Sequence, residues 1–121
     1  MVVNYSPPNL IAESDEELKL VLNSINSKYP SEAMILLGDF NRTLEEVKEL
    51  GTPFGLHTLR PSSDKDWYTH QQVRLDSKQT SELDYILSNM PMTNLSKEED
   101  NKPVKSDHVV LQANIAVDWL R

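Results

Sequence analysis

Met1 to Tyr5 is a short apolar run rich in valine that stops at Ser6-Pro7-Pro8. Proline cannot donate to a ladder, so the pattern predicts a buried strand closed by the two prolines. Leu18, Val21, Leu22 and Ile25 then recur at helical spacing behind Ser14-Asp15-Glu16-Glu17, a capping-box sequence. This predicts a one-faced helix from Ser14 to about Lys28, closed by Pro30. Ala33 to Leu37 is a continuous apolar run bounded by Gly38, the pattern of a strand buried on both faces.

Thr43-Leu44-Glu45-Glu46 repeats the capping-box spacing and Gly51 offers a stop, so a short surface helix is expected there. Thr52 to Ser63 is punctuated by Pro and Gly and reads as loop, with a short strand at Leu56 to Leu59. Asp66 to His70, Leu83 to Leu87 and His108 to Val117 have strand composition, whereas Asn94 to Lys105 is charged and proline-containing and reads as a solvated loop. A βαβ unit followed by further strands places the chain in the α/β (α+β) class: one mixed, mainly antiparallel sheet with helices on one face. Such a sheet leaves its other apolar face in want of a partner.

A length of 121 residues is enough for one modest core, so residues 1–121 are expected to form a single domain. The chain has no cysteine, which removes disulfides, thiolate metal sites and cysteine nucleophiles together. No apolar run approaches the roughly 20 residues needed to span a bilayer, and the start lacks the features of a signal peptide. The expectation is a soluble intracellular protein with no membrane partner. Nineteen acidic against twelve basic residues give a net charge of -7, which argues against a broad, nonspecific grip on a phosphate backbone.

Three segments put polar residues at or near the ends of apolar strands: Gly38-Asp39-Phe40-Asn41, Asp84 within Leu83 to Leu87, and Ser106-Asp107-His108. Ends of neighbouring strands can converge, and a cluster of aspartates, an asparagine and a histidine has the parts for metal-assisted phosphate-ester hydrolysis. Carboxylates suit a hard ion such as Mg²⁺. The ion and an asparagine amide can stabilise charge on phosphoryl oxygens, and histidine can move a proton near neutral pH. Taken singly, each segment has an ordinary structural explanation: a strand-to-turn junction, a surface histidine, an edge-strand aspartate.

In order and spacing, Gly38-Asp39-Phe40-Asn41, Ser81 to Ser88 (SELDYILS) and Ser106-Asp107-His108 resemble the three C-terminal signatures of the endonuclease/exonuclease/phosphatase, or DNase I-like, superfamily. Val3 to Pro8 also looks like the strand ending in Tyr-x-Pro that precedes them. Within the superfamily the motifs look most like retrotransposon-type endonucleases. The resemblance implies half of a DNase I-like sandwich, namely the C-terminal half of the domain.

It further implies catalytic roles for Asp39, Asn41, Asp84 and His108, with Asp84 orienting His108. Mg²⁺ or Mn²⁺ would be held with the help of Asp107 and Asp39. Tyr5 and Asn41 would contact substrate, and Trp67 and His70 would line the nucleotide pocket. The family's N-terminal half supplies an asparagine and the glutamate that is its principal metal ligand, and no counterpart precedes Tyr5. Glu82 stands where many relatives carry a basic residue.

The function expected from the resemblance is metal-dependent phosphodiester hydrolysis by an endonuclease acting on DNA or RNA. The N-terminal half would come from another chain or from a homodimer. A truncated, noncatalytic relative serving as a structural or interaction module is the alternative. A phosphorylated lipid or small-molecule substrate is a third reading.

Overall fold

The computed structural model describes residues 1–30, 32–58, 67–75, 77–98, 108 and 110–115. In chain order the elements are β1 (Val2–Tyr5), α1 (Ile11–Lys28), β2 (Ile35–Asp39), α2 (Leu44–Gly51), a 3₁₀ turn (Thr52–Phe54), β3 (His70–Arg74), β4 (Ser77–Ser81), β5 (Asp84–Ser88), β6 (Met92–Glu98) and β7 (Val110–Ile115). The chain is therefore α+β, with a central three-stranded sheet ordered β1-β2-β5. β1 runs parallel to β2, and β5 is antiparallel to it. The pairs β3-β4 and β6-β7 form antiparallel hairpins, and a bridge between His70 and His108 ties the β3 end to the approach to β7.

The helices cover one face of the central sheet. Leu18 and Leu22 of α1 and Val47 and Leu50 of α2 form one buried cluster with Leu36 and Phe40 around β2, Tyr85 and Leu87 of β5, and Leu56. Each fully buried leucine among them contributes roughly 1.5–3 kcal/mol. The opposite face differs from the expectation of strands buried on both sides. Val3 and Tyr5 are 68% and 65% exposed, and Ile35, Leu37 and Ile86 are only half-buried. Val3, Leu37 and Ile86 are register partners across β1, β2 and β5, so an apolar row runs over this face.

Helix α1 starts a turn earlier than Ser14. The amide of Leu10 donates to the Pro7 carbonyl at 3.0 Å and that of Ser14 to Leu10 at 2.9 Å, so the proline turn leads directly into the helix and Ser14 lies inside its first turn. Helix α2 opens as expected: the Glu46 amide donates to the Thr43 hydroxyl at 3.4 Å, and the Thr43 amide to the Glu46 carboxylate at 3.2 Å. The α-helix ends at Gly51 as expected, but with that residue still helical and packed against Leu87 and Leu56, and a 3₁₀ turn follows it. The chain turns out at Gly55, where φ is 69°.

The Glu46 carboxyl is held below its ordinary value, first by the Thr43 hydroxyl and then by the Thr43 amide. A carboxylate whose pKa falls on folding adds stability above its unfolded pKa and loses it as pH falls through the folded value. Thr43→Ala is therefore expected to cost about 1 kcal/mol near neutral pH, as loss of an N-cap does. The gap from wild type should narrow on acidification below the ordinary carboxylate range. Urea unfolding near pH 7 and near pH 3 measures both, and an equal gap at the two values would remove Glu46 from the account.

The polar strands depart furthest from the sequence pattern. The expected strand at Asp66 to His70 begins only at His70, and Asp66 lies outside the described residues. Of the loop expected at Asn94 to Lys105, residues 99–105 lie outside the described residues, and Asn94 to Glu98 are strand and belong to β6, whose pairing with β7 shifts register between Thr93 and Ser96. Asn94 sits there at φ 54°, and a bulge of this kind breaks the alternation that marks a strand. Of the short strand expected at Leu56 to Leu59, the described residues show a bridge between His57 and Ser88, and Leu59 lies outside them. Among the described residues no helix is long and apolar enough to cross a membrane.

Candidate active site

At the C-terminal end of β1 and β2, the register pairs Tyr5 with Asp39 and Asp39 with Asp84. Directly paired residues of neighbouring strands project to the same side, so these three stand in a row on the face the helices leave open. His108 completes the group. Its Nδ1 lies 2.6 Å from Asp84 Oδ2, and its Nε2 lies 3.6 Å from Asp39 Oδ2. In the neutral ring, Nδ1 donates to Asp84 and the lone pair of Nε2 faces Asp39, at a distance too long for a hydrogen bond.

Two glycine and asparagine conformations make this row possible. Gly38 has φ 144°, and a Cβ built there would fall 1.8 Å from the Asn4 carbonyl oxygen. Only glycine lets β1 approach β2 at this point. Asn41 takes the left-handed conformation, φ 50°, which asparagine tolerates better than most residues. The turn carries its amide back to Asp39 Oδ1 at 3.0 Å and sends its Nδ2 to the Ser6 carbonyl at 2.7 Å. Asn41 is thereby fixed between β1 and β2, beside Asp39.

The Asp39 carboxyl is raised above its ordinary value, chiefly by burial and next by the negative charge of Asp84. The Asn41 amide, His108 and His70 act in the opposite direction but do not cancel it. One ligand atom each from Asp39, Asp84 and His108 lies within 4.8 Å of the others. Two carboxylates that repel one another and an imidazole form a donor set that fits a divalent cation. Asp107 lies outside the described residues.

Of the expected pocket residues, His70 touches this group. The His70 ring meets the His108 ring edge to face, with centroids 4.8 Å apart. Trp67 is buried, and the Lys97 ammonium lies 3.8 Å from the centre of the Tyr68 ring and 5.4 Å from that of Trp67. Sequence reasoning passed over three supports. Thr69 accepts the amides of Leu83 and Asp84 at 2.9 and 3.0 Å. Tyr85 donates its hydroxyl to the Arg42 carbonyl at 2.7 Å. Arg42, buried, pairs with Asp15 of α1 at 2.5 Å. Only Tyr85 carried a signal, as an aromatic residue within an apolar strand.

No protein-family model and no curated protein sequence matches the chain. Among solved structures it is similar to the "Endonuclease domain of TRAS1, a telomere-specific non-LTR retrotransposon", with TM-score 0.70 and 21% sequence identity. The match covers 93% of this chain and 55% of that one. The chain thus has the fold of slightly more than half of a retrotransposon-type endonuclease domain, in keeping with the resemblance carried by its motifs.

Proposed function

We propose that the chain supplies the hydrolytic half of a divalent-metal-dependent phosphodiesterase, an endonuclease acting on nucleic acid, completed by another polypeptide or by a second copy of itself. The observation that carries this reading is the Asp84–His108 pair aimed at Asp39, with Asn41 fixed alongside. The partly exposed apolar row through Val3, Leu37 and Ile86 supports completion by another folded unit.

In this mechanism Asp39 orients the attacking water and takes its proton, which a carboxyl raised by burial accepts more readily. Asp84 holds His108 by Nδ1, leaving Nε2 to carry a proton to or from a phosphoryl oxygen. The second Nδ2 hydrogen of Asn41 and the hydroxyl of Tyr5 hydrogen-bond the phosphate oxygens as their charge grows. As the P–O bond breaks, the leaving oxygen takes a proton from His108 Nε2, which solvent has supplied, and Asp39 returns the proton of the attacking water to solvent. Asp39 and Asp107 would hold Mg²⁺ or Mn²⁺, which when bound polarises the phosphoryl oxygens. His70 would flank the substrate through its half-buried ring, and buried Trp67 would back that wall.

The test is cleavage of supercoiled plasmid and of abasic-site duplex DNA by the purified chain with Mg²⁺, with EDTA, and as His108→Ala. Cleavage that needs both metal and His108 supports a site completed by self-association. Its absence favours the noncatalytic module or a completing half on another polypeptide. Cleavage of phosphorylated lipids or small esters in place of DNA would move the substrate class.

A further inference from the structure

We propose that Thr69 is a positioning residue for the Asp84–His108 pair, acting through the backbone of Asp84, and that His70 beside it sets the plane of the His108 ring. The inference rests on the reading of His108 as the proton-handling group, but its test needs no turnover.

Thr69 is fully buried, and its own amide donates to the Ser81 carbonyl at 3.0 Å. Its Oγ1 accepts from Leu83 N and Asp84 N at 2.9 and 3.0 Å, so both lone pairs of one hydroxyl are used on adjacent amides. Those amides belong to the first residue of β5 and the residue before it, where the ladder with β2 begins at the Asp39 and Asp84 pair. On the other side of the chain, the Leu83 carbonyl accepts from Phe40 N at 2.8 Å. The backbone bearing Asp84 is therefore gripped from two directions, by β2 and by Thr69.

An aspartate side chain has only two torsions between that backbone and its carboxylate. A shift of the Asp84 Cα is therefore passed on to a 2.6 Å contact with His108, which is at the short end for a hydrogen bond. The next residue, His70, bridges His108 through the backbone and meets its ring edge to face at 62°. The His70 Nδ1 lies 3.5 Å from Ser81 Oγ. The segment is anchored upstream as well, since Lys97 donates to the Tyr68 carbonyl at 3.3 Å while lying over the Tyr68 ring. Two consecutive residues thus hold the two members of the pair, one from behind and one from the side.

The experiment is long-range ¹H–¹⁵N correlation of the histidine rings in the purified chain, for wild type, Thr69→Ser, Thr69→Val and His70→Ala. Wild type is expected to show His108 as the Nδ1–H tautomer with a downfield, slowly exchanging proton. Serine keeps the acceptor and should retain that signature. Valine matches the shape but leaves two part-buried amides without their acceptor, and should lose it while amide signals remote from β5 stay in place. His70→Ala should speed exchange of the same proton.

A folded Thr69→Val chain with the wild-type tautomer and proton overturns the proposal. If the valine variant does not fold, a Thr69→Ser chain that folds but loses the signature overturns it equally, and so does an unchanged exchange rate in His70→Ala. None of these outcomes depends on nuclease activity, so failure of this inference and failure of the proposed function are distinguishable.

Discussion

His108→Ala is expected to lower metal-dependent cleavage by about 10²–10⁴-fold, the range that a positioned acid–base group supplies. The variant removes the group that faces Asp39 through Nε2 and Asp84 through Nδ1. It also leaves two carboxylates in adjacent register positions without the imidazole that partly offsets them. The rate of plasmid nicking, in whichever assembly shows cleavage, measures the effect. His57→Ala is the matched control, because His57 pairs with Ser88 at the far end of β5 from Asp84. Equal loss in both variants would mean that the histidine contribution is general to the fold, and an undiminished rate in His108→Ala would falsify the assignment.

Gly38→Ala is expected to be the most damaging single methyl in the described part of the chain. The added carbon would stand 1.8 Å from the oxygen and 2.8 Å from the carbon of the Asn4 carbonyl. Both are backbone atoms, so no rotamer change relieves the clash. The φ of 144° adds strain of its own. Strands β1 and β2 would have to part at the point where Tyr5 is paired with Asp39. A loss of more than about 4 kcal/mol follows, the class of effect confined to a few mechanisms of this severity. Gly55→Ala is the comparison: φ is 69° but nothing lies within 4 Å. Its cost is the left-handed backbone alone, about 1–2 kcal/mol. Urea unfolding of the two variants compares them, and equal midpoints would discard the steric argument.

The elements legible in the sequence are those that bury an apolar stripe. α1 shows its period, and β1, β2 and β5 their apolar runs, because the core cluster draws Leu18, Leu22, Leu36, Tyr85 and Leu87 to one side. β3 and β4 read HQQVR and SKQTS, which gives no apolar alternation to find. β6 hides behind its bulge. In the site, Asp39, Asn41, Asp84 and His108 were legible through motif spacing, and the structure brings the two aspartates and the histidine within 4.8 Å. Thr69 was not legible, because its partners are backbone amides 14 and 15 residues away, and an amide leaves no trace in residue identity. Trp67, expected from its aromatic character to line a pocket, is 9% exposed.

The row of Tyr5, Asp39 and Asp84 has a consequence for synthesis on the ribosome. Its three strands are contributed by well-separated parts of the chain, and the imidazole comes from position 108, the last of these residues to leave the exit tunnel. Long-range pairings of this kind form late and slowly. A nascent chain ending before His108 would hold Asp39 and Asp84 side by side without the ring that partners Asp84. Assembly of the candidate site is in this sense deferred: the chain can reach other parts of its fold while still tethered, yet completes the group of Asp39, Asp84 and His108 only after His108 has emerged.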